Sequence, residues 1–327
     1  MKAFFRFVFL TLPWTPLLTM TAENLKVGMI GLDTSHVIAF TQLLNNPKHA
    51  DHVAGARVVA GFKGGSPDVV SSRTRVEKFT RQLQDDFGVT IYPTIESMCD
   101  QVDVVMLMSV DGRPHLKQAI PVLEKGKPMF IDKPVAGSLR DALEIFRLAG
   151  EKNVPVFSSS SYRFYDSMLT LKAKPVGTIR SAISYGPCSL EPHHPDLFWY
   201  GVHPTEALFT IMGIGCQTVT RVTTESTDVV TGIWNDGRVG VFHGLRNSRR
   251  TPHQVTVFGS DDFAVQEGKG GYANLVKEIV SFFKTGVAPV LPDETIEIFA
   301  FMEAADESKR LGGIPVSIAD VIEKNRQ

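Results

Sequence analysis

The chain has 327 residues, 43% of them hydrophobic, which is enough for a core in one large domain or two ordinary domains. Its net charge is −1, with neither the basic stripe of a nucleic-acid-binding protein nor the acidic tail of a disordered one. Three widely spaced cysteines, Cys99, Cys188 and Cys216, make no disulfide framework or metal knuckle and are interpreted as small buried residues.

The first 22 residues differ from the rest of the chain. Lys2 and Arg6 precede an apolar stretch over 7–20, which is too short and too interrupted by proline to span a membrane. The pattern is typical of a secretory signal peptide cleaved near Ala22, although Met20 is bulky for that site. We expect export to the periplasm or the extracellular space if this is a signal, and a cytoplasmic protein otherwise.

Residues 23–160 alternate between strand and helix patterns. Strands are predicted at 25–32, 56–62, 102–109, 128–132 and 154–160, and helices at 36–46, 74–88, 113–126 and 138–153. The strand at 102–109 is apolar throughout, as in a parallel sheet covered on both faces. Because repeated β-α units need right-handed crossovers, the sequence predicts an α/β domain with a doubly wound parallel sheet.

The pattern changes in residues 161–327. Strands are predicted at 178–186, 218–226, 228–236, 237–245 and 253–260, and helices at about 203–212, 272–284 and 293–310. The Asp-Gly pair at 236–237 predicts a hairpin. We expect an α+β domain with an open, largely antiparallel sheet, whose last helices are free to pack back on the first domain.

The loop after the first strand is "GLDTSH", where a dinucleotide-binding domain carries G-x-G-x-x-G. Only Gly31 is a glycine, and Asp33 and His36 stand at the other two positions. Thr34 and Ser35 still offer hydroxyls and backbone N–H groups to a phosphate at a helix N-terminus. A helix capped by Asp33 that needs no ligand is at least as good an interpretation of this stretch alone.

The second strand ends at Lys63, where a dinucleotide site usually has an acidic residue for the ribose hydroxyls. Lys63 would favour the 2′-phosphate of NADP. An exposed loop lysine is the interpretation that we rank higher.

"FIDKP" places Asp132, Lys133 and Pro134 at the carboxyl end of a buried strand. A partly desolvated lysine has a lowered pKa and can transfer protons. The alternative, a structural ion pair made by Asp132, is equally supported.

"GVHPTE" opens a helix with His203, and Glu206 follows one turn on. His203 is the histidine best placed for acid/base work, because its ordinary pKa lies near neutrality, and Glu206 could orient it. A His and a Glu three apart could also hold a metal, but no further ligand follows at motif spacing. A helix-capping histidine is the remaining alternative.

The chain resembles the Gfo/Idh/MocA family of oxidoreductases over about residues 25–323. "DKP" is similar to the family's E-K-P, and "GVHPTE" to its G-x-H-x-x-D. The resemblance implies a Rossmann domain that binds NAD or NADP, then a domain whose open sheet forms a homo-oligomer interface. It also implies that Lys133 contacts substrate and cofactor and that His203 is catalytic.

Two further stretches carry the resemblance. "SVDGRPH" resembles the T-P-N-x-x-H loop near the nicotinamide, with Ser109 and His115 at matching positions. "SYRF", which includes Arg163, resembles a segment that lines the substrate side. The chain departs from the family at Trp199, where the family often has an aspartate, and in the two lost glycines, so we predict weak or unusual nucleotide binding.

The loop before His203 is open to several interpretations. His193, His194 and Asp196 could line the cleft or hold a metal, and a solvated loop is the interpretation that we prefer. Trp199 and Tyr200 could stack on a sugar ring or belong to the core.

The expected function is an NAD(P)-dependent oxidoreductase acting on a sugar, polyol or related hydroxyl compound. The alternatives are a redox-neutral sugar-modifying enzyme that keeps its NAD bound, and a non-catalytic ligand-binding protein on the same fold. No metal, nucleic acid or membrane span is expected.

Overall fold

A computed structural model describes residues 24–246 and 251–326. The predicted signal peptide at 1–22 lies outside the described residues, so export stays a prediction. Within the described ranges, no helix is both long and apolar enough to cross a bilayer.

The first part of the chain forms a six-stranded parallel sheet. Its elements are β1 (Leu25–Ile30), α1 (Ser35–Asn45), β2 (Ala56–Phe62), α2 (Val70–Arg73), α3 (Val76–Phe87), β3 (Thr90–Ile91), α4 (Ile95–Cys99), β4 (Val104–Leu107), α5 (His115–Glu124), β5 (Met129–Asp132), α6 (Leu139–Lys152) and β6 (Val156–Ser159). The strand order is β3-β2-β1-β4-β5-β6, and every pair is parallel. The predicted doubly wound sheet is confirmed, with its switch point between β1 and β4.

Local sequence explains where these helices begin and end. The hydroxyl of Ser138 accepts the N–H of Asp141 at 3.1 Å and caps α6, as predicted. Gly88 ends α3 in the left-handed region, with φ of 68°. β4, β5 and β6 are buried at every residue, which is why they read as continuous apolar runs.

The second part forms a seven-stranded sheet. A 3-10 turn (Ser161–Phe164) leads into α7 (Asp166–Lys172), β7 (Ile179–Pro187), α8 (Val202–Met212), β8 (Cys216–Thr223), β9 (Thr227–Trp234), β10 (Val239–Leu245), β11 (Gln254–Gly259), β12 (Phe263–Val265), α9 (Ala273–Thr285), α10 (Pro292–Arg310), β13 (Val316–Ser317) and α11 (Ile318–Arg326). The order is β12-β11-β7-β10-β9-β8-β13, and all pairs except β7 with β10 are antiparallel. The largely antiparallel sheet is therefore confirmed.

The hairpin between β9 and β10 forms at the Asp-Gly pair, as predicted. The N–H of Trp234 donates to the carbonyl of Arg238 at 2.9 Å, and Gly237 takes a φ of 84°. The short elements α2, α4, α7, β12 and β13 carry too little periodicity to be predicted from the sequence.

Two layers of helix complete the core. α8 and α10 cover the inner face of the second sheet, and α10 also contacts α6. α9 packs back on the first sheet, where Leu275, Ile279 and Phe282 share a buried cluster with Val27 and Met29 of β1. This return brings Tyr272, just before α9, to the carboxyl edge of the first sheet.

The three cysteines are buried and unpaired, as interpreted from the sequence. Burial raises the pKa of the Cys99 thiol to about 11 and of the Cys188 and Cys216 thiols to about 12. They are therefore neutral packing residues at physiological pH.

Candidate active site

A cleft of about 450 Å³ opens where the carboxyl edge of the parallel sheet faces the start of α8. Open α/β sheets bind their ligands at this edge. Seven predicted site residues line the cleft: Thr34, Ser35, His36, Lys133, Trp199, Tyr200 and His203.

Lys133 directly follows β5, and its half-buried side chain enters the cleft. Among the described residues, no carboxylate lies within ion-pair distance of its Nζ, which instead stands 5.7 Å from the centre of the Tyr200 ring. Burial lowers the pKa of Lys133, and the Arg75 guanidinium lowers it further, against the opposing charge of Asp132. The ammonium is thus poised to give up a proton more readily than an ordinary lysine.

His203 lies in the first turn of α8 and does not cap it, because the cap position belongs to Gly201. Its Nδ1 is 2.8 Å from the hydroxyl of Ser160. The rings of Tyr162, Tyr200 and His253 surround it at 5.0, 5.6 and 5.6 Å. Burial, and then the charge of Lys133, hold the pKa of His203 well below its ordinary value, so the imidazole is neutral at pH 7.

Glu206 does not contact His203, which corrects the role predicted for it. Its carboxylate accepts the hydroxyl of Ser159 at 2.6 Å, the N–H of Ser160 at 2.7 Å and Nε of Arg163 at 3.0 Å. Glu206 therefore fixes the backbone of Ser160, and the hydroxyl of Ser160 in turn contacts Nδ1 of His203. Glu206 orients His203 only through Ser160.

Arg163 was expected on the substrate side and lies elsewhere. Its side chain is buried and engaged by Glu206 and, through Nη2, by Glu294 of α10 at 2.7 Å. It joins the start of the second domain to two of that domain's helices.

The glycine-poor loop after β1 is built around Gly31, whose φ is +80°. A Cβ there would lie 2.5 Å from backbone atoms of Ser109, so only glycine fits. The cap of α1 is Thr34, whose hydroxyl faces the N–H of His36 at 3.4 Å, and not Asp33 as predicted.

Asp33 points away from the cleft. Its two oxygens accept the hydroxyl of Ser72 at 2.6 Å and the N–H of Val110 at 2.9 Å, and the side chain is buried. Burial raises the pKa of Asp33 despite these bonds. The Asp33 carboxylate is therefore engaged within the fold and does not line the cleft in which a phosphate would bind.

Further bonds link the loop after β2 to the loop after β4, on either side of β1. Ser66 donates to Asp111 at 2.6 Å, and Arg113 makes a paired contact with Asp68 at 2.9 Å. These bonds cross the carboxyl end of β1 at the edge where a nucleotide lies in this class of fold.

His36 lies on the cleft side of α1, with Nδ1 2.6 Å from the carboxylate of Asp132. Its ring stacks on Phe40 at 5.5 Å and tilts against Tyr272 at 4.8 Å. Burial opposes ionisation of Asp132, yet His36 and Lys133 lower its pKa overall. Asp132 thus makes the structural ion pair that was one of the two interpretations of "DKP", while Pro134 is buried beside it.

Three other predicted residues are also engaged outside the cleft. Lys63 is ion-paired with Glu77 at the surface, which agrees with the loop-lysine interpretation. Ser109 is buried and donates to Gln118 at 2.8 Å. His115 is buried, with its ring nitrogens 2.9 and 3.2 Å from the carbonyls of Ser109 and Val135, so it supports two loops and does not face a substrate.

The loop before α8 is solvated only in part: His193 is exposed, as preferred, but His194 and Asp196 are engaged. His194 is buried under the Trp199 ring at 5.3 Å, and the N–H of Gly112 lies 3.4 Å from its Nε2. Asp196 binds Arg221 at 3.1 Å and Lys309 at 2.6 Å. These contacts fix a loop whose Trp199 is 8% exposed and whose Tyr200 is 38% exposed at the cleft.

Several cleft residues were not predicted from the sequence: Arg75, Glu191, Tyr162, Tyr165 and Tyr272. Tyr162 is part of the quoted "SYRF", so its neighbourhood was identified but the wrong side chain was chosen. Tyr165 directly follows that segment and Glu191 lies in the loop before His203, whereas Arg75 and Tyr272 come from segments distant in sequence. The described part of the chain contains no cluster of three or more His, Cys, Asp or Glu side chains that could hold a metal.

The donor set fits an anionic dinucleotide. The tight turn at Gly31, the hydroxyls of Thr34 and Ser35, and two cations without carboxylate partners, Arg75 and Lys133, face the same cleft. These residues would hold the phosphates near α1 and the nicotinamide near Lys133.

Fold and cleft together define a two-domain protein of the dinucleotide-binding Rossmann class. Residues 25–160 match the sequence model of the Gfo/Idh/MocA family, described as an oxidoreductase family with an NAD-binding Rossmann fold. Residues 25–160 therefore correspond to the NAD-binding Rossmann domain that this family model describes, which agrees with the predicted family resemblance, oxidoreductase class and NAD-type cofactor.

A curated relative, inositol 2-dehydrogenase 2 of Mycolicibacterium vanbaalenii, is 29% identical over 126 residues. The aligned segment spans 38% of this chain and 36%, about a third, of that relative. Solved structures extend the likeness to both domains. Apo scyllo-inositol dehydrogenase of Lactobacillus casei has a TM-score of 0.75 at 14% identity, over 92% of this chain and 100% of the other. Myo-inositol 2-dehydrogenase of Lactobacillus plantarum has 0.74 at 16% identity, over 90% and 99%. At these identities the structures establish the shared fold alone.

Proposed function

We propose that the protein is an NAD(P)-dependent oxidoreductase that oxidises a hydroxyl group of a sugar, a polyol or a related compound. The observation that carries the proposal is the placement of Lys133 and His203 in one cleft, each with a lowered pKa. The aromatic residues Trp199 and Tyr200 beside them provide faces on which a sugar ring can stack.

The two groups divide the proton chemistry. When Nδ1 of His203 donates to Ser160, Nε2 carries the lone pair and accepts the substrate's hydroxyl proton. The ammonium of Lys133 donates a hydrogen bond to the oxygen as negative charge develops on it. NAD, when bound, supplies the acceptor for the hydride that leaves the carbon.

The remaining residues maintain this arrangement. Glu206 fixes the backbone of Ser160, and Ser160 holds the His203 ring. The rings of Tyr162 and Tyr200 keep water from one side of the imidazole, which is part of the burial that lowers its pKa.

The first test is the cofactor. Absorbance and mass of the purified protein, with thermal shifts in NAD and NADP, report whether the nucleotide is bound and which form is preferred. Absence of bound nucleotide together with absence of a shift would refute the proposal.

The second test is activity on inositols, sugars and polyols. Lys133→Ala and His203→Ala should each lower kcat by on the order of 10²- to 10⁴-fold. Lys125→Ala is the matched control, because Lys125 makes only an exposed pair with Asp100. Full activity in either cleft variant would contradict the site assignment.

A redox-neutral enzyme that retains its NAD is the second candidate. The side-chain bonds that join the loops after β2 and β4 favour it, because such bonds would slow the exchange of a dinucleotide beneath them. Nucleotide that survives dialysis, with turnover in the absence of added NAD, would support this candidate over the first.

We also propose that the second sheet forms a homo-oligomer interface. Inward-facing residues of β9 and β10 are buried, while the alternate positions stay open, including Ile233 at 47% exposure and Val222 of β8 at 65%. β-branched residues across this face suit a second copy of the same sheet. Light scattering after gel filtration tests the assembly, and a monomer at all concentrations would refute it.

A further inference from the structure

Arg75 enters the cleft from a position that no motif marks. It lies between α2 and α3, and its Nε donates to the carbonyl of Ser71. That bond fixes the stem of the side chain. Arg75 lines the same cleft as Thr34 and Ser35 of the loop that starts α1.

Among the described residues, no carboxylate pairs with Arg75. The nearby acidic side chains are engaged elsewhere: Asp33 with Ser72 and Val110, Asp132 with His36, and Glu191 with His193 at 2.9 Å. Lys133, the second cation of the cleft, is equally unpaired. Asp33 and Asp132 attract these two cations without an ion-pair contact, so the cations still repel each other across one cavity, and a bound anion reduces that cost.

We propose that Arg75 is the anion-binding residue of this cleft, where its guanidinium takes the oxygens of a phosphate or carboxylate group. This inference rests on the proposed function for the identity of the anion. The pyrophosphate of the dinucleotide is the favoured source, because Arg75 lines the same cleft as Thr34 and Ser35, which belong to the loop where this fold binds phosphates. A carboxylate on the substrate is the other source of the same chemistry.

The assignment explains how the loop operates without two of its glycines. In the ordinary fingerprint, the second glycine lets backbone N–H groups approach the pyrophosphate. Here Asp33 occupies that position, and its inward-turned carboxylate offers no donor to a phosphate. The planar guanidinium of Arg75 adds donors to the cleft and can bind two oxygens at once.

The experiment measures NADH and ADP-ribose binding by titration calorimetry for the full protein and for Arg75→Ala and Arg75→Lys. The matched control is Arg73→Ala, which removes the same charge from an exposed residue two positions away that does not line the cleft. A lost charge-assisted contact should raise both dissociation constants about 10- to 100-fold in Arg75→Ala. The dissociation constants of Arg75→Lys should lie between those of the unmodified protein and Arg75→Ala. Those of Arg73→Ala should stay within about twofold of the unmodified protein.

The outcomes separate the two sources. If Arg75→Ala leaves NADH binding unchanged but raises KM for acidic sugars such as gluconate and not for neutral polyols, the anion is the substrate's carboxylate. If Arg75→Ala matches Arg73→Ala for NADH, ADP-ribose and gluconate, the inference is overturned.

Failure of the proposed function is recognisable separately. If the unmodified protein binds neither NADH nor ADP-ribose, the nucleotide-dependent function fails. Thermal shifts in sodium pyrophosphate and in sodium gluconate then test whether Arg75 binds anions, independently of any nucleotide. Stabilisation that is lost only in Arg75→Ala supports the anion site, and equal shifts in both arginine variants overturn it.

Discussion

His253 offers a direct test of how burial controls the chemistry of the cleft. Its ring lies 4.1 Å from the Tyr162 ring and 5.6 Å from that of His203, and its buried Nδ1 has no hydrogen-bond partner among the described residues. Burial, and then the charge of Lys133, lower the pKa of His253 to about 4. Phenylalanine has nearly the same shape and cannot take up a proton, so His253→Phe removes only the titration.

The direction in which pH changes the stability follows from the higher pKa of His253 in the unfolded chain, which therefore binds a proton at a higher pH than the folded chain does. Above about pH 6.5 neither the folded nor the unfolded chain protonates His253, and the group has no effect on stability. Below that pH the unfolded chain binds a proton and the folded chain does not until about pH 4, so stability falls. At pH 5 the loss is about 2 kcal/mol, and below pH 4 it reaches about 3 kcal/mol.

Urea denaturation at pH 7.5 and pH 5.0 measures the free energy of unfolding of both proteins. Carboxylates also titrate in this range, but they do so in both, so the comparison isolates His253. Between the two pH values the variant should lose about 2 kcal/mol less than the unmodified protein. Equal losses would refute the reasoning, and His193→Phe, at an exposed imidazole beside Glu191, is the control.

Two further predictions concern the catalytic groups and the loop after β1. The profile of kcat/KM against pH should have an acid limb, as His203 gains a proton, and an alkaline limb, as Lys133 loses one. Because both pKa values are lowered, the midpoint of the acid limb should lie below pH 6.5 and that of the alkaline limb below pH 10.5. A profile in which His203→Ala keeps its acid limb would contradict this assignment. Gly31→Ala should lower the free energy of unfolding by about 3 kcal/mol or more in urea, because its Cβ meets the backbone of Ser109. Gly88→Ala, at a similar φ with nothing near its Cβ, should cost only about 1 kcal/mol, and equal losses at the two glycines would contradict the clash.

Most of the longer elements of both domains could be predicted because each is specified by a short stretch of sequence. Apolar runs define the buried parallel strands, Ser138 marks the start of α6, and the Asp-Gly pair marks a hairpin. Lys133 and His203 could likewise be placed, since a strand end and a helix start at the same edge of the sheet converge on one cleft.

Partnerships between distant side chains could not be predicted. Glu206 was paired with His203 because they are one turn apart, yet it binds Ser159, Ser160 and Arg163, more than 40 positions earlier. A spacing of three residues shows that two side chains share a helix face, but it does not show what packs against that face. Arg75 was missed for the same reason, since only the fold brings it beside Thr34.

Ser72 offers a test of whether the bonds between the loops after β1 and β2 restrict access to the nucleotide. Its hydroxyl donates to Asp33 at 2.6 Å and accepts the N–H of Ser66 at 2.7 Å, so it ties the loop after β2 to the loop after β1. Ser72→Ala leaves two buried polar groups unpaired and should cost about 1 to 3 kcal/mol of stability. It should also free the loop, so that NADH associates several times faster in stopped-flow fluorescence.

Ser71→Ala is the matched control, because the Ser71 hydroxyl is buried without a hydrogen-bond partner among the described residues. Faster association in Ser72→Ala alone would mean that the inward-turned Asp33 regulates access to the site through this loop. Identical association rates in the two variants would mean that the Ser72 bonds stabilise the domain without limiting entry. Asp33 would then replace a glycine for structural reasons only, and the side chains that face the cleft would bind the phosphates.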